Sequence, residues 1–286
     1  MSELIQLRRR ISAVQTSKKI AHAMQLIARS LHSRLKSQRG NLDEYTSGLQ
    51  RLLYDLEQQL PDWQHPVLHP DAHNPQARTL IILIGSQRGL CGSFNSMLIH
   101  YYNNHIHQLA DSKKIEVILV GNKVADYFKE SVFPQSIRFF SDLTDKNIVS
   151  IAQEITRHIM ATQTIYSSIA VISNKSKGFF TQRPMITFLV QADRDNAFCP
   201  LPTEDRIWHI SPQELLNKLV PLVFESNISY LLFESFFAEQ AARFISMDQS
   251  TRNAQKLLNL LKLQYNKLRQ ARITQELIEL SGATVA

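Results

Sequence analysis

FESFFAEQAARFISMDQSTRNAQKLLNLLKLQYNKL, residues 233–268, decides how this chain is built. Positions recur along it in alternating steps of four and three: Phe233, Phe237, Gln240, Phe244, Met247, Thr251, Ala254, Leu258, Leu261, Tyr265 and Leu268. Only Gln240 and Thr251 interrupt the apolar stripe. A seam of that period held over more than four heptads marks a coiled coil rather than an ordinary surface helix. The helix has room to run. Ser211-Pro212-Gln213-Glu214 reads as an N-cap serine, a first-turn proline and a glutamate placed to return a capping box. After Pro221 no proline or glycine occurs before Gly282. At about 1.5 Å per residue such a helix would reach roughly 100 Å. It cannot bury its seam in a core of its own, so it needs a partner helix and an external sleeve.

The N-terminal stretch supplies that partner. Leu4, Leu7, Ile11, Val14, Lys18, Ala21, Met24 or Gln25, Ala28, Leu31 and Leu35 keep the same step over residues 3 to about 38. No glycine precedes Gly40 and no proline precedes Pro61, and residues 41 to about 60 continue helical through Leu49, Leu52, Leu53, Leu56 and Leu60. Pairing the two ends of the chain gives an antiparallel two-stranded coiled coil. The competing arrangement lays two separate amphipathic helices on a globular domain.

Between the helices the composition changes. Pro61, Pro66, Pro70 and Pro75 make residues 61–77 a linker; His65, His69 and His73 are spaced by four, yet the prolines forbid the helix that would turn this spacing into metal ligation. They read as solvated linker histidines. Residues 78–205 read as a Rossmann-like α/β domain. Its strands are Thr79 to Ile84, Ile115 to Val120 and Ile165 to Ile172, its helices Asn95 to Leu109, Lys123 to Phe128 and Ile148 to Thr162. A ribbon over Phe179 to Val190 follows, with Pro184 marking an edge. Strands alternating with helices predict a largely parallel sheet. The fold class is therefore α/β: a long antiparallel coiled coil (1–60 and 206–286) with the sheet domain inserted.

The loop Gly85-Ser86-Gln87-Arg88-Gly89-Leu90-Cys91-Gly92-Ser93-Phe94-Asn95 stands where such a fold binds a nucleotide, but it carries neither GxGxxG nor the Walker lysine with its Ser/Thr. Turn and packing duty for Gly85, Gly89 and Gly92 is the expectation. Cys91 has no base marked for it, and no triad, paired carboxylate or zinc spacing stands out. The sequence makes no positive case for catalysis or for a cofactor.

Charge is segregated. Residues 1–40 hold nine Arg or Lys against Glu3 alone, a net of +8, and residues 250–272 hold six with no acid. The whole chain carries only +7, so the remainder is net acidic. Basic ends of this kind imply an anionic partner. A nucleic-acid-binding or scaffold coiled coil with an α/β head is one class they allow, but the basic residues do not alternate with aromatics as stacking platforms require. Two cysteines, Cys91 and Cys199, give no disulfide framework, which suits a reducing compartment. Apolar runs such as Leu80 to Ile84 are too short to span a bilayer. Charges from Glu3 onward leave no signal core.

Three islands then carry a resemblance. They are Arg10-Ile11, Val14, Lys19-Ile20, Ala23-Met24 and Ile27-Ala28; Arg88-Gly89-Leu90-Cys91-Gly92 with Phe94-Asn95; and Ala241-Ala242-Arg243, Met247, Thr251, Asn253-Ala254, Tyr265-Asn266, Arg269-Gln270-Ala271, Ile273-Thr274-Gln275-Glu276 and Ser281-Gly282-Ala283. In order and spacing, over essentially the full chain, the sequence resembles the γ subunit of F-type ATP synthases. The resemblance implies a rotor shaft turning inside a ring of α and β subunits, its sheet domain gripping the membrane c ring with ε. It implies no cofactor, no nucleic acid, and contact with a membrane only through the complex, at the cytoplasmic face of a bacterial inner membrane. The family's β-subunit contacts fall on Lys19, Met24, Arg269, Gln270, Thr274 and Glu276, its turn-loop glycines on Gly89 and Gly92. The foot toward ε and the c ring falls near Trp208 and His209. The sequence departs from the family at Gln87, Ser93, Ser17, Ala21, Arg29, Leu31 and Ile207-Trp208-His209-Ile210.

Overall fold

In chain order the elements are α1 (Ser2–Gln59), β1 (Arg78–Ile84), α2 (Phe94–Leu109), β2 (Ile115–Val120), α3 (Asn122–Lys129), β3 (Ile137–Phe140), α4 (Ile148–Ala161), β4 (Tyr166–Gly178), β5 (Thr181–Gln191) and α5 (Pro212–Ala283). The computed structural model describes residues 2–60, 62–70, 76–109, 115–129, 137–162, 165–191 and 211–283. The chain packs as two compact units, residues 1–30 with 243–286 and residues 31–242, and each long helix contributes to both.

The first unit is a pair of helix segments and little else. Along α1, Leu4, Leu7, Ile11, Val14, Lys18, Ala21, Met24 and Ala28 are the positions withdrawn from solvent, and along α5 Met247, Thr251, Ala254, Leu258, Leu261, Tyr265 and Leu268. This is the seam read from the sequence, position by position. Its polar lapses are paired across the interface. Lys18 Nζ donates to Gln255 Oε1 at 2.5 Å, and Gln25 Nε2 to Asp248 Oδ1 at 2.9 Å. Residue numbers rise on one helix as they fall on the other, so the pair is antiparallel, and these half-buried polar contacts help fix its register. Thr251 turns its hydroxyl to its own helix, donating to Met247 O at 2.8 Å.

The second unit is built on a five-stranded sheet of order β3-β2-β1-β4-β5. The first four strands run parallel and β5 returns antiparallel to β4. Parallel strands covered on both faces read as continuous apolar runs, and RTLIILI in β1 is one. Leu80, Ile82 and Ile84 face a layer formed by α4, by Leu35, Leu53 and Leu56 of α1, and by Leu216 to Phe237 of α5. Ile81 and Leu83 face α2 and α3 through Leu98, Tyr102, Val124 and Phe128.

Helix α1 does run unbroken through Gly40 as expected, because the core contacts of Leu35 on one side and Leu53 and Leu56 on the other outweigh the roughly 1 kcal/mol cost of a helical glycine. Several other details depart from the sequence reading. Strand β3, only four residues, escaped the periodicity reading, and β4 is longer than expected, running to Gly178. Ser211 caps α5 as expected, accepting from Glu214 N at 3.3 Å, but the Glu214 carboxylate pairs forward with Lys218 at 2.6 Å instead of closing a box. His65 is half-buried, while His69 remains exposed. Val67 N donates to His65 Nδ1 and His65 N to His69 Nδ1, Trp63 and Leu68 pack on the core, and burial lowers both imidazole pKa values. His73, Cys199, Trp208 and His209 lie outside the described residues.

Candidate functional site

In an open parallel sheet a ligand binds at the carboxyl ends of strands where the order reverses, here between β1 and β4. That crevice is filled by the chain itself. Asn95, at the start of α2, reaches back across the loop: its Oδ1 accepts from Ser86 N at 3.0 Å and its Nδ2 donates to Ser86 Oγ at 2.7 Å. Ser86 Oγ in turn donates to Arg88 O at 2.9 Å. Gly85 is required by space, since a Cβ there would meet Val124 Cγ2 at 1.8 Å. Gly92 is required by conformation, at φ 61°. Gly89 has room around it, with Lys123 Cε the nearest atom at 3.9 Å.

What lies over the loop is α5. Cys91 and Phe94 form a small buried cluster with Ala238 and Ala242, and Ser235 Oγ donates to Ile84 O, the last carbonyl of β1, at 3.4 Å. Small side chains at 238, 241 and 242 let the helix come this close. Where a nucleotide-binding relative of this architecture would present backbone amides to phosphate, this chain grips a helix. The sequence carried the signal in Ala238, Ala241 and Ala242, but the heptad reading passed over their size. Gln87 ties the loop sideways, donating to Asp142 Oδ1 at 3.0 Å and accepting from Asn122 N at 3.3 Å.

Below the loop, residues 31–59 of α1 are locked to residues 212–242 of α5. Arg39 clasps Glu234 at 2.5 and 2.9 Å and lies over the Phe237 ring at 5.3 Å. His32 stacks on Phe237 at 4.1 Å. Thr46 and Ser226 share a hydrogen bond of 2.8 Å, and Gln50 donates to Asn227 at 2.5 Å. Tyr230 is pushed up to about 12 by burial and by the neighbouring Glu234 and Asp43 carboxylates. A further buried network lies at the opposite, amino ends of the strands: Tyr166 donates to Glu116 at 3.0 Å and His158 faces it at 3.3 Å. Neither network was foreseen, because each joins residues far apart in sequence.

In the first unit, Lys19, Arg269, Gln270, Thr274 and Glu276 are exposed and Met24 is half-buried. Thr274 Oγ1 donates to Gln270 O at 3.0 Å and Glu276 pairs with Arg272 at 2.9 Å. Among the described residues the side chains of Lys19, Arg269 and Gln270 make no ion pair or hydrogen bond. Beside them, large apolar side chains stand in solvent: Ile20, Leu26 and Ile27 on α1, Leu260, Ile273 and Leu277 on α5. Exposed apolar groups interleaved with free cations describe a surface built to be surrounded. Among the described residues no group of three potential metal ligands occurs.

Comparison with known proteins covers the whole chain. A family model described as ATP synthase matches residues 3–286. An ATP synthase gamma chain from Syntrophus aciditrophicus is 30% identical over all of this chain and 99% of its own length. One from Rickettsia felis is 31% identical over all of both. Among solved structures, the rotor of the Euglena gracilis mitochondrial ATP synthase has a TM-score of 0.64 at 16% identity, covering 95% of this chain and 99% of that one. The central stalk of the Tetrahymena thermophila enzyme has a TM-score of 0.56 at 20% identity, covering 80% and 98%. These last two likenesses speak to the fold.

Proposed function

This chain belongs to the ATP synthase gamma-chain family, and from that premise we propose that its paired helices turn as a central shaft inside a ring of alternating α and β subunits. The gamma chain is a non-catalytic subunit, so its work is mechanical. The observation that carries the reading is the family match from residue 3 to 286 on a chain whose end segments close one antiparallel seam. A shaft of two helices resists twisting better than one. Because its faces differ, each surrounding β subunit meets a different surface at any moment, and a difference in contact energy shifts that subunit's conformational populations. Sliding requires contacts that are individually weak, and exposed ion pairs at about 0–1 kcal/mol each meet the requirement.

The β-subunit contacts in this reading are Arg269, Gln270, Thr274 and Glu276 on α5, with Lys19 and Met24 on α1. The sheet domain meets ε and the c ring, with Trp208 and His209 at that foot, and Gly89 and Gly92 shape the turn loop. The chain is then a peripheral part of a membrane-associated complex, on the cytoplasmic face of a bacterial inner membrane. Among the described residues no helix is long and apolar enough to cross a membrane. Coupling of ion flow through the c ring to ATP synthesis or hydrolysis follows from that position.

The test has two arms. Affinity capture of this chain should bring α and β subunits with it; their absence would end the reading. Replacing Arg269 and Gln270 together by alanine should lower coupled ATP turnover in the assembled complex, and unchanged turnover would remove both positions from the contact.

A further inference from the structure

We propose that the far end of the β4–β5 hairpin, residues 175–183, is a docking finger for an acidic segment of a neighbouring protein subunit. The inference rests on the reading of this chain as part of a larger assembly, and it adds a contact made by the sheet domain rather than by the end segments of the long helices. Lys175 stands directly across from Arg183 in the antiparallel register. Like charges opposite one another on a sheet destabilise the pair. Lys177 adds a third cation two residues along. All three are exposed, and among the described residues none closes an ion pair. Asp43 and Glu57 line the adjoining groove together with Lys175, but among the described residues neither forms an ion pair with it.

The finger is also pre-shaped. Ser176 Oγ donates to Gly178 O at 2.7 Å and Gln182 Nε2 to Phe179 O at 2.8 Å, which fixes the turn. Phe179 is anchored edge-on to His32 at 4.9 Å, and His32 is itself stacked on Phe237. Phe180, at the tip, is left 79% exposed. A bare aromatic ring beside three unpaired cations is costly in isolation and suited to a partner offering carboxylates and an apolar spot. Recognition has to go through these side chains. Among the described residues β5 is an edge strand, and Pro184, which has no backbone donor, disfavours strand addition there.

Three exposed cations would hold a free nucleic acid or a lipid surface only weakly, because so few phosphate or headgroup contacts form and each weakens with salt. Within an assembly the effective concentration reaches about millimolar, and contacts too weak for a free ligand are then enough. The occupant is therefore a protein segment rich in Asp and Glu.

A photoreactive benzophenone amino acid in place of Phe180, in the intact complex, tests this. The expected product is a cross-link to an acidic stretch of another subunit, with most of the yield lost in the K175Q/K177Q/R183Q background. Those substitutions remove repulsion, so loss of the hairpin would not explain the result. Cross-links confined to this chain, to lipid, to nucleic acid or to a neutral or basic segment would overturn the proposal, as would a yield unchanged by the three substitutions. Failure of the chain to join any complex would instead overturn the shaft reading.

Discussion

Two stretches of the same helix behave differently. From Leu231 to Arg243 every residue of α5 is buried, whereas from Met247 to Arg272 only Met247, Leu258 and Leu261 are. The four-three step runs through both. The first stretch is buried on all sides, its charged Glu234, Glu239 and Arg243 included, and takes neighbours from α1, the turn loop and the end of β1; the second has one partner helix and is exposed off the seam, where polar residues stand beside the solvent-facing Leu257, Leu260 and Leu263. A helix buried all round belongs in a core and one withdrawn from water only along a narrow stripe belongs in a pair. One continuous element is thus held fast at one part and left free to slide past a sleeve at another.

The largest test of that contrast is in side-chain truncation. Phe237→Ala, which also strips the partners of His32 and Arg39, should cost about 3–5 kcal/mol, and Leu258→Ala about 2 kcal/mol, the low end for a site whose few neighbours can close in. Urea unfolding monitored by circular dichroism measures both, and equal losses would erase the distinction. Next come the ion pairs. Glu234→Gln should cost about 2–3 kcal/mol, below the figure for a fully buried pair because Arg39 keeps part of its surface in water. Asp248→Asn, which loses the ion pair with the exposed Arg252 but keeps an amide oxygen to accept from Gln25, should cost under about 1 kcal/mol. A double-mutant cycle on Arg39 and Glu234 sharpens the first figure.

Smaller still is the effect of acid. Burial, then the charges of Lys36 and Arg39, lowers the pKa of His32. The unfolded chain therefore binds the proton more readily, so this contribution to stability is complete above the ordinary histidine value of about 6.5 and is lost as pH falls below it. His32→Gln should flatten the decline of the melting temperature between neutral and mildly acid pH, leaving the parallel share of His65 and His69. An unaltered profile would show that His32 is not the group responsible. Least of all, Arg269→Ala with Gln270→Ala should move stability by no more than about 0.5 kcal/mol, since both side chains are exposed and unbonded; a larger loss on thermal unfolding would make them structural.

The sequence was a good guide wherever a single period governs. Each seam position from Leu4 to Ala28 and from Met247 to Leu268 is withdrawn from water as its spacing demands. The strands of RTLIILI and IEVILV were legible as short apolar runs instead. Strand β3 was missed because four residues are too few to display a period, and the fold of Trp63 to His69 was missed because proline spacing hides contacts made to residues such as Asn217. The turn loop reads as turn and packing rather than a phosphate cradle because GxGxxG and the Walker lysine are missing from it. That α5 fills its place could be learned only from Cys91 and Phe94 meeting Ala238 and Ala242.

What the sequence determined by itself was the shaft, its partner, its charge and its family, because heptad spacing and local motifs act over a few turns of chain. Only the tertiary structure decided which residues clasp it. Arg39 finds Glu234, Thr46 finds Ser226 and Ser235 finds the end of β1, and none of these pairings has a local cause. Each exists because a sheet brought together segments that no periodicity connects.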